Sequence, residues 1–78
     1  MAHLRNLDID LLHAFTTVAD VGGFTRAADI LLRRQSTLSL QIKRLKDALG
    51  RRLLDRTSRR VRLTAAGESL LADARPML

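Results

Sequence analysis

The chain has 78 residues, no cysteine and a formal net charge of +6. Its length allows one domain, and its hydrophobic content of 46% is typical of a globular protein and argues against a disordered one. No apolar run reaches the ~20 residues that a membrane-spanning helix needs, and no leader peptide opens the chain. Without cysteine there is no disulfide framework or thiolate metal site, so we expect a cytoplasmic protein.

The basic residues are concentrated in the middle of the chain. Residues 33–62 hold eleven of the fourteen lysines and arginines and two acidic residues, a net charge of +9. The 32 residues before them carry a net charge of −2, and the 16 after them carry −1. This distribution indicates a polyanionic partner, with nucleic acid as the leading candidate and a solvated basic face as the alternative.

Two helical patterns occupy the acidic first part. The first predicts a helix over about residues 8–21, begun by an aspartate and ended by Gly22. Its apolar stripe consists of Leu11, Phe15 and Val18, broadened by Leu12 and Ala19. The second predicts a shorter helix over about residues 25–32, with Thr25 as its N-cap. Its slim inner face consists of Ala27, Ala28 and Leu31.

The third helical pattern has the most regular apolar stripe. Its inward residues, at spacings of four, three and four, are Leu38, Ile42, Leu45 and Leu49. They predict a helix over about residues 35–49, ended by Gly50 and preceded by a short turn that contains an Arg-Arg pair. Polar and basic side chains remain on its outer face: Gln35, Thr37, Gln41 and Arg44.

Two short runs after the third helix predict a hairpin. Residues 53–56 and 60–63 contain β-favouring or alternating residues around a polar Thr-Ser-Arg tip. A fourth helix is expected after Thr64, its N-cap, and Pro76 either kinks this helix or leaves its end frayed.

The apolar residues of the fourth helix leave two alternatives open. Leu70, Leu71 and Ala74 either pack within the chain or contact a partner. A domain of this size has little core of its own, which favours a partner and therefore a dimer interface at these three residues.

Two helices joined by a three- or four-residue turn, followed by a basic hairpin, are typical of a winged helix-turn-helix. We predict a mainly α fold with a three-helix core, a two-stranded wing and a C-terminal linker or dimerisation helix. The third helix suits a DNA major groove because its amino end combines a positive dipole with short hydrogen-bonding side chains. The candidates for base contacts are Gln35, Ser36, Thr37 and Ser39, with Arg59 at the wing tip placed for the minor groove. The candidates for phosphate contacts are Thr25, Arg26, Arg33, Arg34, Lys43, Arg56 and Arg60.

Each of these candidates has a simpler structural alternative. Gln35 could be only a polar residue at a helix start, and Ser39 could hydrogen-bond back to the helix carbonyls. Arg59 and Arg60 could be solvated turn charges. The two histidines, His3 and His13, are too far apart in sequence to suggest a metal site, so neither a metal nor a cofactor is expected.

Several motifs resemble the DNA-binding domain of LysR-type transcriptional regulators. They are Phe24-Thr25-Arg26-Ala27-Ala28, Gln35-Ser36-Thr37-Leu38-Ser39, Gln41-Ile42, Leu45, Leu49-Gly50, Leu53, Arg56 and Leu63-Thr64-Ala65-Ala66-Gly67-Glu68. The resemblance extends from about residue 7 to residue 78. It implies that Gln35, Ser36 and Ser39 face bases and that Arg59 belongs to the wing.

The resemblance also implies an organisation and a partner. Residues 1–63 would be the winged helix-turn-helix domain, and residues 64–78 the start of a linker helix that pairs with its counterpart in a dimer. The dimer would bind double-stranded DNA at an interrupted inverted repeat. An effector domain normally follows in this family and is absent from this chain, so a small-molecule inducer or a tetramer would depend on that missing part.

Five positions depart from the usual pattern of the family. They are Arg34 in place of a capping Ser or Thr, Leu40 in place of a polar residue, Lys46 in place of Glu, Leu54 in place of Phe, and Ala65 in place of Pro. Loss of the cap at Arg34 would cost about 1 kcal/mol, unless Ser36 takes over and the helix starts later. Leu40 would shift the local contact towards a thymine methyl or a carbon beside a phosphate.

Three other classes of function fit the sequence less well. An enzyme would need a nucleophile with its base or a Gly-rich phosphate loop, and the chain offers neither. A lipid-surface module would present aromatic residues, whereas both phenylalanines, Phe15 and Phe24, stand at core positions. Nonspecific DNA coating is compatible with the charge alone and differs from the favoured function in sequence specificity.

Overall fold

The computed structural model describes residues 8–56 and 60–78, and it confirms the mainly α, winged helix-turn-helix architecture. The elements in chain order are α1 (Ile9–Val21), α2 (Phe24–Leu31), α3 (Gln35–Leu49), β1 (Leu54–Arg56), β2 (Val61–Leu63) and α4 (Ala65–Ala74). A short 3-10 turn over Arg75–Met77 follows α4. Within the described ranges, no helix is long and apolar enough to cross a membrane.

The ends of α1 follow from its first and last residues. Asp8 precedes the helix with an extended backbone, and its Oδ1 accepts a hydrogen bond from the Asp10 N–H at 2.8 Å. Gly22 ends the helix with φ at 75°, and its N–H donates to the Val18 carbonyl at 2.9 Å. Both ends agree with the sequence prediction.

The start of α2 corrects one prediction. The helix begins at Phe24, so Gly23 occupies the N-cap position and Thr25 lies within the first turn. Thr25 is therefore not the N-cap, and its side chain is exposed on the surface. At the other end Leu32 has a left-handed backbone, with φ at 55°, and the three residues 32–34 form the turn to α3.

The third helix spans the predicted residues, and Arg34 is its N-cap residue. The helix does not start later at Ser36, so the predicted loss of a side-chain cap is confirmed. Gly50 ends α3 with φ at 67°, a conformation that glycine adopts without steric cost.

The wing and α4 are held together by backbone contacts. The antiparallel register pairs Leu54 with Leu63, and the Thr64 N–H donates to the Leu53 carbonyl at 3.1 Å. The Thr64 hydroxyl caps α4 by accepting from the Gly67 N–H at 3.0 Å. A Cβ on Gly67 would overlap the Leu53 carbonyl, so only glycine permits this approach of α4 to the wing. Pro76 falls in the 3-10 turn, where α4 has already ended.

The core lies between α1 and the other three helices, all of which α1 contacts. The largest fully buried side chains are Leu12, Phe15, Val18, Leu38, Leu45 and Leu53. Partly buried apolar side chains, among them Leu31, Leu49, Leu63 and Leu71, pack around them. This core fixes the orientation of α3 and leaves its polar face on the surface.

Candidate nucleic-acid interface

The first turn of α3 lies open on the surface. Gln35, Ser36 and Thr37 are all exposed, whereas Ser39 is partly buried. The N-cap residue Arg34 has no acceptor atom, so its side chain cannot satisfy the N–H groups of the first turn. These N–H groups and the positive end of the helix dipole therefore remain open to an anion or to a base.

Exposed cations without an internal partner lie on both helices of the helix-turn-helix. Arg26 is on α2, Arg34 is in the turn, and Arg44 and Lys46 are on α3. All four are exposed, and none of their side chains makes a hydrogen bond or ion pair with another described residue. A phosphate could bind them without first breaking an internal contact.

Lys43 is already paired within α3. Its Nζ lies 3.1 Å from Asp47 Oδ2, and both side chains are more than half exposed. An exposed pair one helical turn apart is worth only about 0.3–0.5 kcal/mol, so a phosphate can displace Asp47 at low cost.

Arg33 lies in the turn, as the sequence suggested, and its side chain has partners within the chain. One guanidinium nitrogen donates to Gln41 Oε1 at 3.0 Å and the other lies 3.2 Å from Asp10 Oδ1. Its side chain is only 27% exposed. Arg33 thus links the turn to both α1 and α3. A phosphate that binds Arg33 would have to share the guanidinium with Gln41 and Asp10 or displace them.

The remaining predicted contacts divide between described and undescribed residues. Thr25 is exposed on the first turn of α2, and Arg60 is exposed immediately before β2. The predicted minor-groove contact of Arg59 lies outside the described residues, as does the side chain of Arg56. A Val61 N–H bond to the Gly22 carbonyl, at 3.3 Å, fixes the wing against the end of α1.

An open groove of about 410 Å³ separates α3 from the wing. Its walls consist of Phe24, Ser39, Ile42, Lys43, Lys46, Arg52, Leu53 and Leu54. Three of these side chains are basic, so the groove extends the cationic surface from α3 to the wing. Sequence reasoning missed it, because its walls come from three separate segments of the chain.

The fourth helix gives the three predicted dimer residues different environments. Leu70 is 6% exposed and Ala74 is fully buried, both against the chain's own core, so internal packing covers the side chains of these two. Leu71 keeps partial exposure, and a partner contact through it remains a prediction.

An ion pair joins the end of α4 to the end of α1. Arg75 donates to Asp20 Oδ1 at 2.7 Å, across 55 residues of sequence. This hydrogen bond raises the pKa of the Arg75 guanidinium above its ordinary value, and the attraction between the two charges adds to the effect. No sequence signal pointed to this contact.

The described residues do not form a metal site. In residues 8–56 and 60–78, no three His, Cys, Asp or Glu side chains come together as candidate ligands.

Comparison with known proteins matches this chain to one family. The model of the bacterial regulatory helix-turn-helix proteins of the lysR family matches residues 9–68. The regulator DgdR of Burkholderia cepacia is 47% identical over 95% of this chain, and the activator AllS of Klebsiella pneumoniae is 47% identical over 92%. The matched region spans 25% and 27%, respectively, of these two relatives' lengths.

Two solved structures of DNA complexes superimpose closely on this chain. The complex of the BenM DNA-binding domain with catB site 1 has a TM-score of 0.87 and 37% identity, covering 91% of this chain and 79% of that one. The complex of the CbnR DNA-binding domain has a TM-score of 0.88 and 37% identity, covering 91% and 82%. The chain belongs to the lysR family of bacterial regulatory helix-turn-helix proteins.

Proposed function

We propose that this chain is the DNA-binding part of a transcriptional regulator and binds double-stranded DNA sequence-specifically, with α3 in the major groove and the wing at the minor groove. The observation that carries the proposal is the exposed polar first turn of α3, together with four exposed cations on α2, the turn and α3 whose side chains have no partner among the described residues. The BenM and CbnR domains, which share the fold, form complexes with DNA.

The proposed mechanism separates affinity from specificity. Arg26, Arg34, Lys43 and Arg60 bind phosphates and supply most of the affinity, which falls as salt rises because bound counterions are released from DNA. Gln35, Ser36, Thr37 and Ser39 supply the sequence preference through hydrogen bonds to base edges. Arg33 acts chiefly by holding the turn in place.

Two copies of the chain would bind the two half-sites of an interrupted inverted repeat, joined through their fourth helices. Leu71 is the predicted dimer residue that retains exposure in one copy. The half-sites would then be separated by one or more turns of the duplex, because each recognition helix must enter the major groove on the same side.

The same proposal covers the rest of the protein. Residues 1–63 form the DNA-binding domain and residues 64–78 begin a linker, after which an effector domain would receive any small-molecule inducer and support a tetramer. The relatives are named as transcriptional regulators, and we propose that this chain acts by binding DNA and not by catalysis. This binding requires no metal, cofactor or membrane. The proposed place of action is the cytoplasm, where the chromosome lies.

Selection from a random duplex pool at about 150 mM salt tests the proposal, because weak electrostatic binding is already suppressed there. We expect enrichment of an inverted repeat whose half-site spacing reports the dimer geometry. Gln35→Ala should lose about 1–3 kcal/mol on the selected site and relax preference at one base pair.

One result would contradict the whole proposal, and another would contradict the role given to Gln35. Retention of DNA without any enriched motif would make the chain a nonspecific coating module. An equal loss by the Gln35→Ala variant on selected and scrambled duplexes would remove Gln35 from the base contacts.

A further inference from the structure

One large apolar side chain lies on the otherwise polar outer face of α3. Leu40 is 48% exposed, and the other large hydrophobic residues with substantial exposure in the described chain lie outside α3: Ile9, Ile30, Leu32, Met77 and Leu78. An apolar side chain left half in water gains free energy only when a partner covers it.

Helix geometry places Leu40 opposite the core. At ~100° per residue, its direction is roughly 165° from the mean direction of the buried Leu38, Ile42 and Leu45. Ser36 and Arg44 lie one turn before it and one turn after it, and both are exposed. Leu40 therefore occupies the middle of the outermost line of α3, the part of the helix that would enter deepest into a groove.

The distance along the helix also fits a base contact. Leu40 follows the proposed base-contacting residue Ser36 by four residues, which is about 6 Å along the axis and within about 40° around it. This is less than the ~12 Å width of the major groove of B-DNA, so both residues can lie in one groove. Arg44, which has no partner among the described residues, is placed to hold a phosphate beside it.

We propose that Leu40 is a specificity-determining residue that contacts the C5-methyl group of a thymine in the major groove. The inference rests on the proposed DNA binding. The thymine methyl is the one alkyl group that base pairs present in the major groove, where cytosine carries only a C5–H and the other distinguishing groups are hydrogen-bond donors and acceptors. The leucine, which can neither donate nor accept, therefore favours thymine over cytosine at the position it covers.

The test removes the thymine methyl group and the end of the leucine side chain separately. In the duplex that selection enriches, each thymine in turn is replaced by deoxyuridine, which lacks only that methyl. For the wild-type chain we expect one position per half-site at which the replacement weakens binding about fourfold, the ratio that corresponds to burial of one methyl group. For Leu40→Ala the same replacement should have no effect.

Two features make the comparison interpretable. Leu40→Ala should fold normally, because the position is exposed and alanine has the highest helix propensity. The matched control is Ile9→Ala, which truncates a side chain of similar exposure, 51%, on α1. Its response to deoxyuridine should equal that of the wild type.

Each alternative result has one meaning. If the deoxyuridine replacements weaken Leu40→Ala as much as the wild type, or weaken neither, Leu40 does not contact a thymine methyl and the inference is wrong. If selection enriches no motif, the proposed sequence-specific function fails first, and that failure is recognisable before any thymine is replaced. If Leu40→Ala binds DNA normally but fails to capture a protein partner, the apolar side chain serves a protein contact instead.

Discussion

At the scale of single residues, Leu32 is the least expected feature. It adopts the left-handed conformation, with φ at 55°, and its side chain is 92% exposed. For an L-residue other than glycine, asparagine or aspartate, this conformation costs roughly 1–2 kcal/mol. The left-handed conformation at this position lets the next N–H, that of Arg33, reach back to the Ala28 carbonyl at 2.9 Å as the chain turns towards α3.

Replacement of Leu32 by asparagine should therefore stabilise the chain. Because asparagine tolerates the left-handed region, we expect the free energy of unfolding to rise by about 0.5–1 kcal/mol. Thermal unfolding followed by circular dichroism should show a midpoint several degrees higher, because 1 kcal/mol shifts the midpoint of a domain of this size by roughly 4–8 °C. Leu32→Ala is the control, because it keeps the Cβ and should give no gain. Equal gains in both variants would attribute the effect to the exposed side chain and not to the backbone.

Residue-level roles were the least predictable part of the site. Arg33 was grouped with the phosphate contacts because it is basic and lies in the turn, yet it contacts Asp10 and Gln41. Asp10 is 23 residues away in sequence, and no local pattern encodes a contact at that separation. The hydrogen bond between Arg75 and Asp20 likewise joins residues too far apart in sequence for a local pattern to predict it.

At the scale of secondary-structure elements, the sequence predicted most of what the structure shows. Apolar spacing and the glycines at positions 22 and 50 gave the spans of α1 and α3 to within one residue, because both signals are local. The start of α2 was misplaced, since Thr25 has the chemistry of an N-cap although Gly23 holds that position. The burial of Leu70 and Ala74 depends on how α4 packs against α1, which spacing alone does not reveal.

The amino end of α3 shows a conflict between stability and binding. Arg34 provides no cap to the helix, and its charge lies beside the positive end of the dipole. Arg34→Ser should therefore raise the free energy of unfolding by about 1 kcal/mol. It should also weaken binding to every duplex and reduce the salt slope by about one, because one phosphate contact is lost.

Arg34→Ala separates the two effects of this change. It removes the charge without adding a cap, so it should lose DNA affinity as Arg34→Ser does but gain less stability. Chemical denaturation and binding at several salt concentrations measure the two quantities. An unchanged salt slope in both variants would remove Arg34 from the phosphate contacts.

At the scale of the whole molecule, the separation of charge determines the proposed behaviour. Residues 33–62 carry +9 within a chain of +6, and the structure arranges their exposed cations along α3 and the wing. Asp47 is one of the two acids in this segment, and it pairs with Lys43 on the exposed face of α3. It therefore competes weakly with DNA phosphates for Lys43 and places a negative charge near them.

Asp47→Asn should strengthen DNA binding irrespective of sequence. Lys43 would no longer exchange Asp47 for a phosphate and the carboxylate would no longer repel the DNA, so the plot of log affinity against log salt should steepen, by less than the ~0.9 of one new phosphate contact. The gain should be largest near 50 mM salt and shrink as salt screens the charges. Asp73→Asn on α4 makes the same change in net charge away from α3 and should leave the slope unchanged. If both variants steepen the slope equally, net charge alone controls affinity and the Lys43–Asp47 pair has no particular role.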